Sequence, residues 1–532
     1  ELIRQQQLVQ TLCAPGIFTH RPRIEETHIS WVLLTGHDAY KIKKALDLGF
    51  LDFSTLELRR FYCDEELRLN RRLAPDLYLD VVAIGGRPDE PVLGPVMDPV
   101  MNSGLARKPA IEYAVHMRRF SQSAMMDRML ARNLVSPAHI DSLAAAIAGF
   151  HQSLPPAAAD SPYCATTEID TAAEQNFVPL QQILGATDGL ARLKAVHDAS
   201  VLEFNACEPL FRQRAQAGMV RECHGDLHLR NIVLLDDVPT PFDCIEFSAA
   251  LRWIDVISEI SFTVMDLLRR GRPQLAWRFL NAYLEITGDF PGVRVLRFYL
   301  AYRAMVRAKI AAIRTVQRGS RFKRELKSCI GYLHLAQGCL TMRRAAVIIT
   351  HGLPGCGKST LAQIALEQLG AIRIRSDVER KRLFGLAPLA DSKALLDADI
   401  YSKDATRRTY TRLQELARGI LAAGYTVIVD AAFILRTERA IFRSLARELD
   451  VPFVIASVQT DAALLSERLA LRSKRRNDPS EASAEVLEKL QEFQEPLQGD
   501  ELGTAVTFFN NGDIEALRSA DATWKTLDDL LK

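Results

Sequence analysis

Two short stretches of the chain hold residue types whose spacing suits the handling of phosphate. The first is His224-Gly225-Asp226-Leu227-His228-Leu229-Arg230-Asn231, followed by Phe242-Asp243-Cys244-Ile245-Glu246. Asp226 and Asn231 are close enough in sequence for one loop to present a proton acceptor and a metal ligand together. Asp243 follows a strand-like run, Ile232–Leu235, and its turn, where it supplies a second metal ligand. The order of base, Mg²⁺ ligand and second Mg²⁺ ligand suits phosphoryl transfer. The second stretch is Gly352-Leu353-Pro354-Gly355-Cys356-Gly357-Lys358-Ser359-Thr360, which satisfies G-x-x-x-x-G-K-[ST]. Its glycines let backbone N–H groups curl around phosphates, and the following helix adds its positive N-terminal end. Lys358 is placed to reach the outer phosphates and the Ser359 hydroxyl to ligate Mg²⁺.

Other residues extend each set. Ala39-Tyr40-Lys41 has the A-x-K spacing of a phosphate-pairing lysine on a strand, with Lys43 on the same strand face as the alternative. Glu66, or failing it Glu65, is the helical carboxylate that would hold that lysine. Beyond the glycine loop, Asp377 falls where the next strand should end, either as a proton acceptor for an attacking hydroxyl or as a helix N-cap. Asp430 ends the apolar run Thr426–Val429, at a place suited to a Mg²⁺-linked water. Arg468, Arg472, Arg475 and Arg476 lie on or just after a helix, as a phosphate clamp on a lid or as a solvated basic face.

The elements that must position these residues are legible in part. Thr27–Lys44 alternates apolar and polar residues around Thr35–Asp38, which predicts a hairpin. Ser54-Thr55-Leu56-Glu57 has capping-box spacing and opens a helix through Leu67. Leu77–Ile84 and Glu112–Phe120 read as strands, and the pattern from Ser121 to Met219 is mostly helical. Helical patterns resume after Phe247 as far as Leu340. At Arg343 the pattern changes: Arg344–Thr350 is a short apolar strand, and strand–helix alternation runs to the end, the signature of a parallel α/β sheet. Domains are therefore expected at 1–342 and 343–532.

These motifs carry two resemblances. Residues 343–532 resemble the small P-loop kinases that include polynucleotide 5′-hydroxyl kinases, zeta toxins and gluconate-type kinases. The resemblance rests on Gly352–Thr360, Asp377 with Arg380, Asp430 and the lid arginines. It implies that Gly352, Gly355, Cys356, Gly357, Lys358, Ser359, Thr360 and Arg468 contact ATP, with Lys358 and Arg472 acting in catalysis. Asp377 would then be the general base, Arg380 would hold a phosphate of the acceptor, and Ser359 and Asp430 would serve the metal. Residues 1–342 resemble the aminoglycoside phosphotransferase family on His224–Asn231 and Asp243. That resemblance implies an α+β, bilobal, protein-kinase-like fold with Asp226 as base, Asn231 and Asp243 on Mg²⁺, and Lys41, backed by Glu66, on ATP. Glu246 departs from the drug-kinase pattern and is similar to a metal-site acid of related kinases. No glycine-rich loop precedes Lys41, so phosphate cover is left to the turn Leu33–Asp38.

Bulk properties narrow the setting. The 532 residues are 48% hydrophobic and 25% charged, with a net charge of +2, ordinary values for a globular chain. Lysine plus arginine balance aspartate plus glutamate from Arg343 onward, which excludes a dedicated duplex binder. Nine scattered cysteines do not form a disulfide framework, and no run is long and apolar enough for a membrane span, so a cytoplasmic protein without a membrane partner is expected. The expected activity is ATP- and Mg²⁺-dependent phosphoryl transfer by both modules to a hydroxyl, on a small molecule or a single-stranded 5′-OH nucleic-acid end. Two alternatives stand beside it: a nucleotide-sensing module that regulates an active one, and a nucleic-acid end-processing kinase.

Overall fold

A computed structural model of the protein describes residues 1–49, 51–95, 109–185, 189–317, 322–341, 344–388, 390, 400, 402–475, 484–512 and 514–532, with backbone alone at 95, 316–317, 471–475, 484–486 and 489. They form two compact units: residues 1–168 with 212–266, and residues 169–211 with 267–532. The fold class is an α+β domain on a six-stranded antiparallel sheet followed by an α/β P-loop domain with a five-stranded parallel sheet.

The first unit is built on six antiparallel strands: β1 Arg23–Glu26, β2 Ser30–Leu34, β3 Asp38–Lys43, β4 Tyr78–Arg87, β5 Glu90–Pro95 and β6 Ala110–Arg118, in the order β1-β2-β3-β6-β4-β5. The period of two along a strand sorts its side chains. Trp31, Leu33 and Ile42 pack with Leu8, Val9 and Leu12 of the helix Leu2–Leu12 on one face. Lys41 and Lys43 point to the other face, towards the helix Leu56–Asn70, whose Cys63 packs with Leu77, Tyr78 and Val115. That helix is capped by Thr55, which accepts from Leu58 N, one residue later than the capping-box spacing suggests. β5 is masked in the sequence by Pro91, Gly94 and Pro95, residues that a strand tolerates at a sheet edge. Beyond the sheet, β7 Val220–Glu222 pairs with β10 Trp253–Asp255, and β8 Ile232–Leu235 with β9 Val238–Pro241. The helix Val256–Arg269 follows.

In the second unit, β11 Val347–His351, β12 Ile372–Arg375, β13 Val427–Asp430, β14 Phe453–Gln459 and β15 Ala505–Phe509 form a parallel sheet ordered β12-β13-β11-β14-β15. β11 and β13 are buried along their whole length, as central parallel strands covered on both faces must be. Three helices that precede the P-loop sequence, Pro273–Thr287, Val293–Gln317 and Phe322–Thr341, belong to this same compact unit. These three helices precede residue 343 in the sequence and pack in the unit of the parallel sheet. The reason is visible at Trp277, which packs against the core of the parallel sheet, and at Arg278, whose Nη1 lies 2.8 Å from Glu367.

One buried ion pair locks the far side of this sheet. Arg439, 1% exposed, donates from Nε to Glu501 Oε1 at 2.7 Å and from Nη2 to Oε2 at 3.0 Å, and its Nη1 reaches Phe433 O at 3.0 Å. Removing one partner leaves the other charge buried and uncompensated. Arg439→Met is expected to cost about 3–5 kcal/mol, seen as a lowered calorimetric transition for the unit holding the parallel sheet. An unchanged transition would mean that the pair adds no net stability.

Candidate functional sites

In the first unit, β3 and the helix Leu56–Asn70 bring two lysines to one carboxylate. Lys41 Nζ donates to Glu66 Oε1 at 2.7 Å and Lys43 Nζ to Glu66 Oε2 at 2.7 Å. Glu66 is wholly buried, and it is Glu66 rather than Glu65 that meets the lysines, because Glu65 pairs with Arg68 at 2.8 Å. Lys41 also reaches Asp243 Oδ1 at 2.6 Å, and Lys43 pairs with Glu246. Burial opposes both lysine charges, but Asp243, Glu66 and Glu246 outweigh it, and both ammonium groups stay above their ordinary range. Burial likewise opposes the charge on Glu66 and Asp243, yet the lysines hold both carboxyls below the usual range. Glu246 goes the other way, pushed up by burial. Its pairing with Lys43 opposes that rise without cancelling it.

The loop 224–231 is tied down from outside itself. Glu259, on the helix Val256–Arg269, accepts from His224 N at 2.7 Å and from Gly225 N at 3.0 Å. Asp266 accepts from Leu229 N at 3.1 Å. Gly225 has φ +89°, and a Cβ there would meet Leu251 O at 2.7 Å, so the turn requires glycine. Asn231 Nδ2 donates to Asp226 Oδ2 at 3.0 Å, and His228 Nε2 lies 3.4 Å from the same oxygen. Asp243 adopts φ +63°, a left-handed conformation that aspartate tolerates. Its N–H donates to Tyr78 Oη at 3.1 Å, while Cys244 N donates to Asn70 Oδ1 at 2.9 Å. The strand β3 and the segment 243–246 thus meet through Lys41–Asp243 and Lys43–Glu246.

In the second unit the glycine loop runs from β11 into the helix Lys358–Leu369. Gly352, Gly355 and Gly357 have φ of +139°, +85° and +97°. A Cβ at Gly352 would meet Val458 O at 2.6 Å and one at Gly357 would strike Asn510 Nδ2. Asn510 donates to Cys356 O at 2.8 Å and Thr460 Oγ1 to the same carbonyl at 3.0 Å, which fixes the loop from β14 and β15. Lys358 Nζ donates to Leu353 O at 2.9 Å across the loop. The helix Ala462–Arg475 lays Leu465 and Leu469 against Gly355 and carries Arg468, which donates to Gly512 O at 3.4 Å. The side chains of Arg472 and Arg475, and Arg476 altogether, lie outside the described residues.

Asp377 lies in the first turn of the helix Ser376–Leu383, whose N-cap is Arg375, so it does not cap that helix. Arg380 is 8% exposed and donates from Nη1 to Ile400 O at 3.0 Å and Thr406 Oγ1 at 3.2 Å. Asp430 is the last residue of β13 and 5% exposed. Its Oδ2 accepts no hydrogen bond among the described residues, although Arg375 Nε stands 3.5 Å away. A buried carboxylate oxygen without a donor, beside the C-terminal end of β11 where Ala431 N donates to Thr350 Oγ1 at 3.0 Å, suits a hard cation such as Mg²⁺, which binds through few carboxylates plus phosphate oxygens. Among the described residues no cluster of three or more His, Cys, Asp or Glu is placed to hold a metal.

Glu259, Asp266, Asn70, Tyr78 and Asn510 were not legible as site residues. Each acts over a long sequence separation, and no local pattern marks it.

Fold and sites together define a class: an α+β domain on an antiparallel sheet joined to an α/β domain with a P-loop. Residues 347–497 match the family model described as AAA domain. The chain is 30% identical over 472 residues to the uncharacterized protein Rv2004c of Mycobacterium tuberculosis, covering 87% of this chain and 88% of that protein, and belongs to its family. A putative kinase from Chloroflexus aurantiacus is similar over 35% of this chain and 98% of its own, at 20% identity and a TM-score of 0.28. A choline/ethanolamine kinase family protein from Mesorhizobium loti is similar over 63% and 98%, at 10% identity and a TM-score of 0.34.

The lysine–carboxylate network has a signed pH dependence. Glu66 and Asp243 have lowered folded values. The stability they contribute is complete above the unfolded carboxylate range near about pH 4 and is lost as pH falls through the folded values. Glu66→Gln removes one such titration. It should lower the melting temperature of the first unit at neutral pH, with the gap from wild type closing below about pH 4. A gap constant across an acid titration by calorimetry would contradict this account.

Proposed function

We propose that the chain is an ATP-dependent kinase with two functional modules, 1–342 and 343–532, each transferring the γ-phosphoryl group of ATP to a hydroxyl. The observation that carries this reading is the Lys41–Glu66 pair joined to Asp243, set in one unit with the Asp226–Asn231 loop. A phosphate-binding lysine, the carboxylate that orients it, a candidate base and two metal-ligand types are what this transfer needs. The glycine loop with Lys358 and Ser359 supports the same chemistry in the second module. The free state of all nine cysteines accords with a cytoplasmic setting.

In each module the acceptor oxygen attacks the γ-phosphorus, a new O–P bond forms, and the bond to the bridging oxygen breaks with its electron pair leaving on ADP. The acceptor proton passes to Asp226 in the first module and to Asp377 in the second. Lys41, held by Glu66, and Lys358 with the loop N–H groups bind phosphate oxygens; Arg468 and Arg472 extend that contact. Asn231 with Asp243, and Ser359 with Asp430, are the residues that would hold Mg²⁺. Mg²⁺ held there would supply positive charge to offset the negative charge of the transferring phosphoryl group. Arg380 is the residue assigned to an acceptor phosphate. It would have to exchange its contacts to Ile400 and Thr406 for that ligand.

Transfer of γ-labelled phosphate from ATP to a small-metabolite extract and to a 5′-hydroxyl oligonucleotide tests the reading, with wild type, Asp226→Ala and Lys358→Ala compared. Each variant is expected to lose the labelled product of its own module by about 10²–10⁴-fold and keep the other. Label on the oligonucleotide lost only in Lys358→Ala would assign the second module to nucleic-acid ends. No transfer by wild type to either acceptor would overturn the proposal.

A further inference from the structure

The cation end of the P-loop site is held from a helix that lies outside the P-loop sequence. The helix Pro273–Thr287 runs beside β12, the edge strand of the parallel sheet. Asn281 on it acts as a substitute strand: its Nδ2 donates to Ala371 O at 2.9 Å and its Oδ1 accepts from Arg373 N at 2.7 Å. One turn further on, Glu285 meets two arginines that the period of two puts on one side of β12. Arg373 Nη2 donates to Glu285 Oε2 at 2.9 Å and Arg375 Nη1 to Oε1 at 3.2 Å. Each arginine then touches the candidate cation site. Arg373 Nη1 donates to Ser359 O at 3.4 Å, and Arg375 Nε stands 3.5 Å from Asp430 Oδ2. Burial disfavours the Glu285 charge, but the two arginines outweigh it and keep the carboxyl below its ordinary range.

Arg375 is therefore shared between two carboxylates, and its shorter contact is to Glu285. Without that anchor the guanidinium would close on Asp430 and compete with any cation there. We infer that Glu285 is a positioning residue for the P-loop site, holding Arg373 and Arg375 so that the Asp430 carboxylate stays available to Mg²⁺ or its water. The inference rests on the reading of Asp430 as the metal-side acid. It places a working part of the P-loop site outside residues 347–497 that match the family model and before the expected boundary at 342/343.

Calorimetric binding of ADP to the full chain, with a Mg²⁺ titration and with EDTA, tests it. A Lys41→Met background removes nucleotide binding in the first module, and added Lys358→Ala identifies the P-loop signal by its loss. In that background Glu285→Gln should raise the Mg²⁺ concentration for half-maximal enhancement of ADP binding about tenfold or more, and leave metal-free ADP affinity within about twofold. Glu285→Asp, which keeps the charge but shortens its reach, should fall between, and serves if Glu285→Gln does not fold. The pair Glu285→Gln with Arg375→Gln should restore the Mg²⁺ response, because the competing cation is gone; a purely structural role for Glu285 gives no such rescue. Asp430→Asn separates the two layers. If it abolishes the Mg²⁺ enhancement while the Glu285 variants leave it unchanged, or if the double variant stays impaired, the positioning role is wrong. If Asp430→Asn also binds Mg²⁺–ADP like its background, the assignment of Asp430 itself is wrong.

Discussion

Glu66 has no solvent exposure and accepts from two ammonium groups at once. A carboxylate taken fully out of water is tolerable only when its charge is matched and its lone pairs are satisfied. Here both conditions are met by residues two apart on one strand, so β3 must run past the helix Leu56–Asn70 in one register. A slip of one residue would turn both lysines to the opposite face. The same lysines then reach Asp243 and Glu246. That ties the segment after β9 Val238–Pro241 to the sheet, with Tyr78 and Asn70 taking the adjoining backbone N–H groups. Five ionisable side chains carry two positive and three negative formal charges, and the surplus negative charge sits at the end where Asp243 is most exposed. The network as closed therefore leaves one formal negative charge unmatched, at the Asp243 end.

The P-loop unit meets the same constraint with different groups. Its phosphate cradle is backbone, held open by glycines at positive φ and clamped through the Cys356 carbonyl by Asn510 and Thr460. Charge enters at the sheet edge, where Glu285 balances Arg373 and Arg375 and Arg375 in turn faces Asp430. In both units the motif residues are oriented by a helix that no motif includes. Residues 256–287 hold two consecutive helices: Glu259 and Asp266 on the first fasten the loop 224–231, and Asn281 and Glu285 on the second fasten β12.

What could be read from the sequence follows this division. The glycine loop, the strand before it and the helix after it are local, and so are Asp226 with Asn231 and the hairpin carrying Lys41. The partnership of Lys41 with Glu66 was legible because a strand lysine and a helical glutamate at that order are a known pairing. The doubling of that pair by Lys43 and Glu246 was not, because it depends on the side on which residue 246 returns to the sheet. Asp377 sits inside its helix rather than at the cap because Arg375 ends β12 and takes the cap position. Arg380, assigned to an acceptor phosphate by resemblance alone, donates to Ile400 O and Thr406 Oγ1, contacts over a sequence distance that no local pattern marks. The packing of 267–341 with the parallel sheet left no sequence trace. Its contacts include a tryptophan over Gly370, an asparagine on a strand edge, one glutamate and the Arg278–Glu367 pair, none of which makes a periodic pattern.

Under the proposed function, the two modules would differ in what sets their response to a nucleotide. A cradle of backbone N–H groups carries no titratable charge, so its affinity for phosphate changes little with pH, and its geometry is fixed once the glycines and Asn510 are in place. The first module has no glycine-rich loop before β3, and the turn Leu33–Asp38 offers few backbone donors. Under the proposed function, phosphate recognition there would fall to Lys41, whose ammonium is already shared between Glu66 and Asp243. A phosphate arriving at Lys41 must displace one of those carboxylates. Glu66 cannot leave, because it is buried and also neutralises Lys43. Asp243, partly exposed and on a left-handed turn, can. Under the proposed function, the exchange that frees Lys41 for phosphate would release Asp243 for a cation, coupling nucleotide and metal binding through one side chain.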